Sequence, residues 1–146
     1  MTMKRIKIDR SKCIGCLTCV TACRVAHESS EARNRVTVDS KNKNAPIFCR
    51  HCDLPECVYT CMTGAMHKNK ETGYVEYDKT KCASCYMCIM ACPYGVLKSD
   101  ALTKKEIMKC DMCVHRSEDK SAAPMCVENC PMQAITFEEV ESACDM

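Results

Sequence analysis

Two short stretches of the chain alternate apolar and polar residues as a half-buried β-strand does. They begin the segments IKIDRSKC (6–13) and VEYDKTKC (75–82), and each then runs through Asp, a basic residue, a hydroxyl residue and Lys into a cysteine. The pattern predicts strands near residues 5–9 and 74–78, and a third strand is predicted near 134–138. Each of the first two strands is followed directly by a group of closely spaced cysteines.

The cysteine segments that follow these strands also repeat. CIGCLTCVTAC (13–23) matches CASCYMCIMAC (82–92) at every cysteine, so strand and cysteines together form an internal duplication. Two further groups bring the number of cysteine motifs to four. Motif 1 is Cys13, Cys16, Cys19 and Cys23; motif 2 is Cys49, Cys52, Cys57 and Cys61; motif 3 is Cys82, Cys85, Cys88 and Cys92; motif 4 is Cys110, Cys113, Cys126 and Cys130. The remaining cysteine, Cys144, is predicted to be a spare thiol.

The spacing within the motifs is typical of [4Fe–4S] ligation. Three thiolates two residues apart can each bind one iron, and a fourth, three residues on, can bind the second cluster of a pair. Motif 3 completes this pattern with Pro93 after its last cysteine. Motif 2 has a wider gap between Cys52 and Cys57, and motif 4 a much wider one between Cys113 and Cys126. Motifs 1 and 3 follow the regular spacing without deviation.

Short helices are predicted after the fourth cysteine of each motif, because small or β-branched residues follow it. The segments are CMTGA (61–65), CPYGV (92–96) and CPMQA (130–134). Residues for an ordinary core are scarce, since the hydrophobic fraction of 47% includes the 17 cysteines and only four residues are leucine. A chain with so little core is expected to depend on bound metal for its stability.

The cysteine content raises the question of compartment. Disulfide-rich secreted proteins have comparable contents, but the first residues, MTMKRIKIDRSKC, are charged and contain no signal-peptide features. No uncharged apolar run approaches the length of a membrane span. The sequence therefore predicts a soluble cytoplasmic protein in which reduced thiols bind metal. The net charge of +2 does not indicate nucleic-acid binding.

Structural zinc in four tetrathiolate sites, which would make the chain a zinc-stabilised interaction module, is the alternative from a different class of function. Zinc ribbons, however, place their thiols in two CxxC pairs separated by a longer segment, unlike motifs 1 and 3. No nucleophile–base pair, phosphate-binding loop or dinucleotide motif is present, so no catalytic residue is predicted. His51 is predicted to bond to backbone or pack beside a cluster. Lys12, Lys81 and Lys109 each precede a motif, and they either offset cluster charge or are solvated.

The motifs resemble those of the four-cluster iron–sulfur subunits of the dimethyl sulfoxide reductase family. The resemblance covers about residues 4–137 and is clearest in CRHCDLPECVYTCMTGA (49–65), KCASCYMCIMACPYGVL (81–97) and the widened motif 4 (109–135). The chain is similar also to small subunits found with formate dehydrogenases, hydrogenases, aldehyde oxidoreductases and anaerobic carbon monoxide dehydrogenases. The resemblance implies electron transfer with a catalytic subunit of this kind in an anaerobic organism; a free polyferredoxin shuttle is the alternative.

The resemblance also implies an α+β fold of two tandem ferredoxin-like modules with nested pairing of the motifs. One module would comprise about residues 1–35 and 105–140, the other about residues 45–100. The implied cluster ligands are Cys13, Cys16, Cys19 and Cys130; Cys23, Cys110, Cys113 and Cys126; Cys49, Cys52, Cys57 and Cys92; and Cys61, Cys82, Cys85 and Cys88. Spacing alone equally allows motif 1 to pair with motif 2 and motif 3 with motif 4. Four oxidised clusters would bring the formal net charge to roughly −6.

Overall fold

The computed structural model describes residues 2–103, 105–114 and 122–141. The prediction for Cys144 and part of the long spacer in motif 4 lie outside these residues. Within them the chain forms four short helices and eight strands. The helices are α1 (Thr18–Ala26), α2 (Glu56–Tyr59), α3 (Met87–Ala91) and α4 (Met125–Glu128). The strands are β1 (Thr2–Ile8), β2 (Arg35–Val38), β3 (Asn44–Ile47), β4 (Met66–Lys68), β5 (Val75–Tyr77), β6 (Lys98–Ser99), β7 (Ile107–Met108) and β8 (Ile135–Glu141).

The described strands pair as four antiparallel two-stranded sheets. β1 pairs with β8, which joins the first and the last described segments and places Ile6 opposite Phe137. The other three sheets, β2–β3, β4–β5 and β6–β7, each join strands that are neighbours in sequence. The strands predicted near 5–9, 74–78 and 134–138 are confirmed as β1, β5 and β8, with bounds shifted by a few residues.

The helices lie before the fourth cysteine of motifs 2, 3 and 4, so the prediction that they follow it was wrong. In motif 1 the fourth cysteine, Cys23, lies inside α1. In the other motifs a residue three positions after the fourth cysteine has a left-handed backbone, namely Gly64 (φ 73°), Gly95 (φ 59°) and Gln133 (φ 51°). Such a residue cannot continue a right-handed helix. In motif 3, Pro93 also disfavours a helical backbone at Cys92, whose ψ is 114°.

Buried apolar side chains form small separate clusters in the described part of the chain. One contains Met66, Val75, Cys88, Leu97 and Ile107, and another contains Phe48, Cys126 and Ile135. Of the four leucines only Leu97 is buried, while Leu17, Leu54 and Leu102 are 49%, 62% and 81% exposed. Cysteine itself belongs to both clusters, so the ordinary core is as thin as the composition predicts.

Contacts between distant segments organise the chain around the cysteine motifs. α1 packs against α4, and α2 packs against α3. Arg5 of β1 forms a half-buried ion pair with Asp53 in motif 2, and Lys68 of β4 lies 3.9 Å from the same carboxylate. None of the helices in the described ranges is long and apolar enough to cross a membrane.

Candidate metal centres

The sixteen described motif cysteines carry free thiols and gather into four groups of four. We call these groups sites A to D. Site A is a cavity lined by Cys13, Cys16, Cys19 and Cys130. Site B is a cavity lined by Cys23, Cys110, Cys113 and Cys126. In site C, Cys49, Cys52, Cys57 and Cys92 lie close enough to affect one another's ionisation. Site D is a cavity lined by Cys61, Cys82, Cys85 and Cys88.

The packing of the helices brings cysteines of different motifs together. α1 contains the last two cysteines of motif 1, and α4 contains the third cysteine of motif 4. Because α1 packs against α4, Cys130 reaches motif 1 and Cys23 reaches motif 4. In the same way, the contact of α2 with α3 places Cys61 of motif 2 among the cysteines of motif 3, and Cys92 of motif 3 among those of motif 2. Each site thus has three thiols from one motif and one from another.

A left-handed residue precedes the second cysteine of every motif. These residues are Gly15 (φ 71°), His51 (φ 44°), Ser84 (φ 56°) and Met112 (φ 56°). Left-handed turns of this kind direct backbone N–H groups into a concavity that binds anions, as at many iron–sulfur sites. The N–H of Ser84 lies 3.4 Å from Cys82 Sγ, and that of Met112 lies 3.5 Å from Cys110 Sγ. In motifs 3 and 4 the backbone therefore directs N–H groups at a sulfur, as expected around a negatively charged group.

Other donors reach the sulfurs from outside the left-handed turns. The N–H of Arg33 donates to Cys23 Sγ at 3.2 Å, and the N–H of Met66 donates to Cys61 Sγ at 3.4 Å. Hydrogen bonds to thiolate sulfur stabilise its negative charge and raise the reduction potential of a cluster that it binds. These donors fit the sulfurs of an anionic metal centre better than those of neutral thiols.

Burial makes a bare thiolate unfavourable at several of the motif cysteines. Burial, followed by the neighbouring thiols of site A, raises the pKa of Cys19 to about 11. Burial also raises the pKa of Cys57 to about 11 and that of Cys110 to about 12. The pKa of Cys126 is raised as well, by burial and then by the nearby thiols of site B. A bound cationic centre deprotonates its thiols outright, so clusters of four thiols that include buried ones fit a metal group.

His27 is a residue near site B that the sequence interpretation missed. Its Nδ1 lies 3.0 Å from the carbonyl oxygen and 3.6 Å from the Sγ of Cys23, and its Nε2 lies 2.9 Å from Asp111 Oδ1. Although burial lowers it, the hydrogen bonds with Asp111 and Cys23 raise the pKa of His27 to about 9. The available signal was the four-residue spacing from Cys23, which places both residues on one helix face.

Two polar residues that the sequence singled out are buried. His51 is fully buried, and its Nδ1 accepts a hydrogen bond from the N–H of Val75 at 3.0 Å, which confirms the predicted backbone bond. Its Nε2 has no hydrogen-bond partner among the described residues. The three lysines that precede motifs differ: Lys109 is 3% exposed, whereas Lys12 and Lys81 are exposed.

Groups of four clustered thiols with N–H donors at several of the sulfurs are typical of one class of protein, the iron–sulfur proteins. Within that class, the protein belongs to the 4Fe-4S dicluster domain family, whose model matches residues 40–140. A 4Fe-4S binding domain model also matches residues 6–26, which contain motif 1. The two matches together cover all four motifs.

Relatives extend the likeness over most of the chain. Protein NrfC of Escherichia coli (strain K12) is 37% identical over 139 residues, which cover 88% of this chain and 62% of NrfC. A chain of the anaerobic dimethyl sulfoxide reductase of the same organism is 38% identical, with 92% of this chain and 72% of that protein covered. A subunit of the sulfite dehydrogenase of Allochromatium vinosum is 33% identical, with coverages of 96% and 70%. The predicted resemblance to the dimethyl sulfoxide reductase iron–sulfur subunits is thus confirmed.

A solved structure shares the fold. A chain of the active site complex BamBC of benzoyl coenzyme A reductase is 26% identical with a TM-score of 0.51. The match covers 97% of this chain and 81% of that one. Among the sequence relatives, this chain spans somewhat less than two thirds of the length of NrfC.

Replacing Gly15 by alanine is expected to weaken site A. An added Cβ would lie 2.7 Å from Asn44 Oδ1, and Asn44 Nδ2 itself bonds the Cys13 carbonyl at 3.4 Å. The left-handed backbone costs roughly 1–2 kcal/mol with a side chain, and the displaced Asn44 adds about 1–3 kcal/mol. Iron per chain and the temperature at which cluster absorbance is lost would both fall.

Gly64→Ala is the matched control for this substitution. Its φ of 73° imposes a similar backbone strain, but an added Cβ meets no atom within 4 Å. It should therefore lower the transition temperature less and leave the iron content unchanged. Equal effects of the two substitutions would show that the contact with Asn44 is unimportant for site A.

Proposed function

We propose that this chain transfers electrons through four [4Fe–4S] clusters, as the iron–sulfur subunit of an anaerobic oxidoreductase. The observation that carries the proposal is the gathering of sixteen thiols into four groups of four. Four cysteine thiolates are the usual protein ligands of a [4Fe–4S] cluster. When bound, such a cluster supplies reversible one-electron transfer.

In this proposal sites A to D are the four ligand sets, and the motifs pair in a nested order. Motifs 1 and 4 form one module, from about residues 1–35 and 105–140, and motifs 2 and 3 form another, from about residues 45–100. The pairing of β1 with β8 and the packing of α1 on α4 support the first module. The packing of α2 on α3 supports the second. The alternative pairing of motif 1 with motif 2 would require thiol groupings different from sites A to D.

The chain's own part in the reaction is to hold, insulate and tune the redox centres. Each site offers one thiol for each of four irons, so no iron is left open to a substrate. A catalytic partner of the formate dehydrogenase, aldehyde oxidoreductase, hydrogenase or carbon monoxide dehydrogenase type would then perform the chemistry. Relatives that are named as a chain or a subunit of an oxidoreductase support the role of a subunit. The cytoplasmic location stays a prediction.

Exposed apolar side chains favour a docked subunit over a free shuttle. Ile14, Leu17 and Met132 line the cavity of site A and are 58%, 49% and 46% exposed. Exposed apolar groups gathered at one place commonly mark a surface for another protein. Placed at the mouth of a redox site, such a surface would bring the partner's own redox centre close to site A.

Iron and sulfide analysis of the anoxically purified protein tests the proposal directly. Four filled sites are expected to give about 16 irons and 16 acid-labile sulfides per chain, with paramagnetic signals on reduction. A protein with four zinc ions and no sulfide would overturn the electron-transfer function, because zinc is redox-inactive. Eight irons in a fully loaded sample would contradict the four-cluster reading while leaving electron transfer intact.

A further inference from the structure

Lys109 is a buried cation at the junction of two thiol sites. Its side chain is one of the few charged groups that the described fold buries, with 3% of its surface exposed. Its Nζ donates to Cys49 Sγ of site C at 3.3 Å. It also donates to the carbonyl oxygen of Cys110, a cysteine of site B, at 3.0 Å. One ammonium group therefore contacts a cysteine of motif 2 in site C and a cysteine of motif 4 in site B.

The positive charge of Lys109 acts on sulfurs of both site B and site C. Its positive charge favours the thiolate of Cys57 in site C and that of Cys110 in site B. Cys49 and Cys110 are also close enough for their charges to repel each other. The ammonium thus lies between the negative charges of the two sites, where these approach each other.

Contacts with neighbouring residues hold the backbone of Lys109 in place. Arg33 Nη1 donates to the Lys109 carbonyl oxygen at 2.8 Å. Asp111 lies two residues further along the chain, and its Oδ1 is engaged by His27 Nε2 at 2.9 Å and by the N–H of Cys113 at 2.9 Å. No ion pair between Lys109 and a carboxylate occurs among the described residues, so its charge is directed at the sulfurs.

We propose that Lys109 sets the reduction potentials of the two clusters in sites B and C and couples them electrostatically. This inference rests on the proposed function. Reduction adds a negative charge to a cluster, so a buried cation at its sulfur stabilises the reduced state and raises its potential. Because the hydrogen bond to sulfur is made only in site C, the effect is larger there than in site B. Sites A and D, whose thiols Lys109 does not contact, are unaffected.

Lys109→Met tests the proposal, since it removes the charge and nearly preserves the length of the side chain. Potentials are measured by redox titration of the intact protein, followed by the paramagnetic signals of the individual clusters. We expect the reduction equilibrium constant of the site C cluster to fall about tenfold or more, equivalent to 59 mV for one electron. The site B cluster should shift in the same direction by less, and Lys109→Arg should restore both potentials towards the original values.

Lys81→Met is the matched control, because Lys81 also precedes a motif cysteine but is exposed. Its removal should change no cluster potential appreciably, since solvent screens an exposed charge. The proposal is overturned if Lys109→Met shifts no potential, or if it shifts all four equally. A starting protein without [4Fe–4S] clusters would instead overturn the proposed function, so the two failures are distinguishable.

If Lys109→Met does not assemble its clusters, the contact of Lys109 with site C can be tested in a protein that keeps this lysine. The protein is labelled with lysine carrying ¹⁵N at Nζ, and pulsed paramagnetic spectra of the reduced protein are recorded. Lys68→Met serves as the background, because Lys68 Nζ bonds the carbonyl oxygens of Cys52 and Asp53 near site C. A ¹⁵N coupling to the site C cluster is expected, and its absence would overturn the proposal.

Discussion

Removal of iron and sulfide is expected to abolish the cooperative fold of this protein. The apolar clusters are small, cysteines belong to two of them, and three of the four leucines are exposed. Short helices of four or five residues, such as α2 and α3, cannot persist on propensity alone. The iron–sulfur clusters cross-link segments that are distant in sequence, so most of the stability of the fold is expected to depend on them.

Circular dichroism and amide hydrogen exchange of the anoxic apoprotein measure this effect. The expected result is loss of the thermal transition and exchange of most amides at unprotected rates, with recovery after cluster reconstitution. The β1–β8 sheet, with seven paired residues on each strand, is the element most able to survive. An apoprotein that retained a sharp transition near that of the loaded protein would contradict the dependence on metal.

Cys23→Ala and Cys113→Ala are expected to perturb one and the same cluster. The two residues lie 90 positions apart in the sequence, yet both line site B. Loss of either ligand should remove that cluster or convert it to a three-iron form, with a fall of up to about a quarter of the bound iron. Cys16→Ala should instead perturb the site A cluster. Paramagnetic spectra of the reduced variants make the comparison.

The same experiment distinguishes the two pairings of the motifs. If motif 1 paired with motif 2, Cys23→Ala would disturb the cluster held by Cys49, Cys52 and Cys57, and its spectrum would differ from that of Cys113→Ala. Cys57→Ser provides the reference spectrum for loss of the site C cluster. Cys144→Ser, outside every motif, is the control that should keep full iron, and a loss there equal to that of Cys57→Ser would show that the motifs are assigned wrongly.

The helix placement shows how far local sequence reasoning extends. The small and β-branched residues after the fourth cysteine of each motif predict short helices there, but the helices lie at or before that cysteine. A right-handed helix after the fourth cysteine of motifs 2, 3 and 4 is excluded by the left-handed backbone of Gly64, Gly95 and Gln133. Gly64 and Gly95 could have been read as a stop signal, since glycine readily adopts this conformation. Gln133 could not, because nothing local to a glutamine indicates a positive φ.

The sequence by itself determined the chemistry of this protein. Thiols at two- and three-residue intervals are held close together by chain connectivity, so their capacity to bind iron is a local property that spacing predicts. The strands β1, β5 and β8 follow from local alternation, and the thin core follows from composition. These features depend on neighbouring residues and were therefore accessible without knowledge of the fold.

Local spacing left two pairings of the motifs open, and only the tertiary structure groups the thiols as sites A to D and buries Lys109 beside two of them. Both depend on contacts such as β1 with β8 and α1 with α4, which join segments that spacing cannot relate. Lys12, Lys81 and Lys109 occupy the same position before a cysteine, yet only Lys109 is buried. Its Nζ contacts Cys49, which lies 60 residues away in the sequence, and the energy of a buried charge depends on such distant partners.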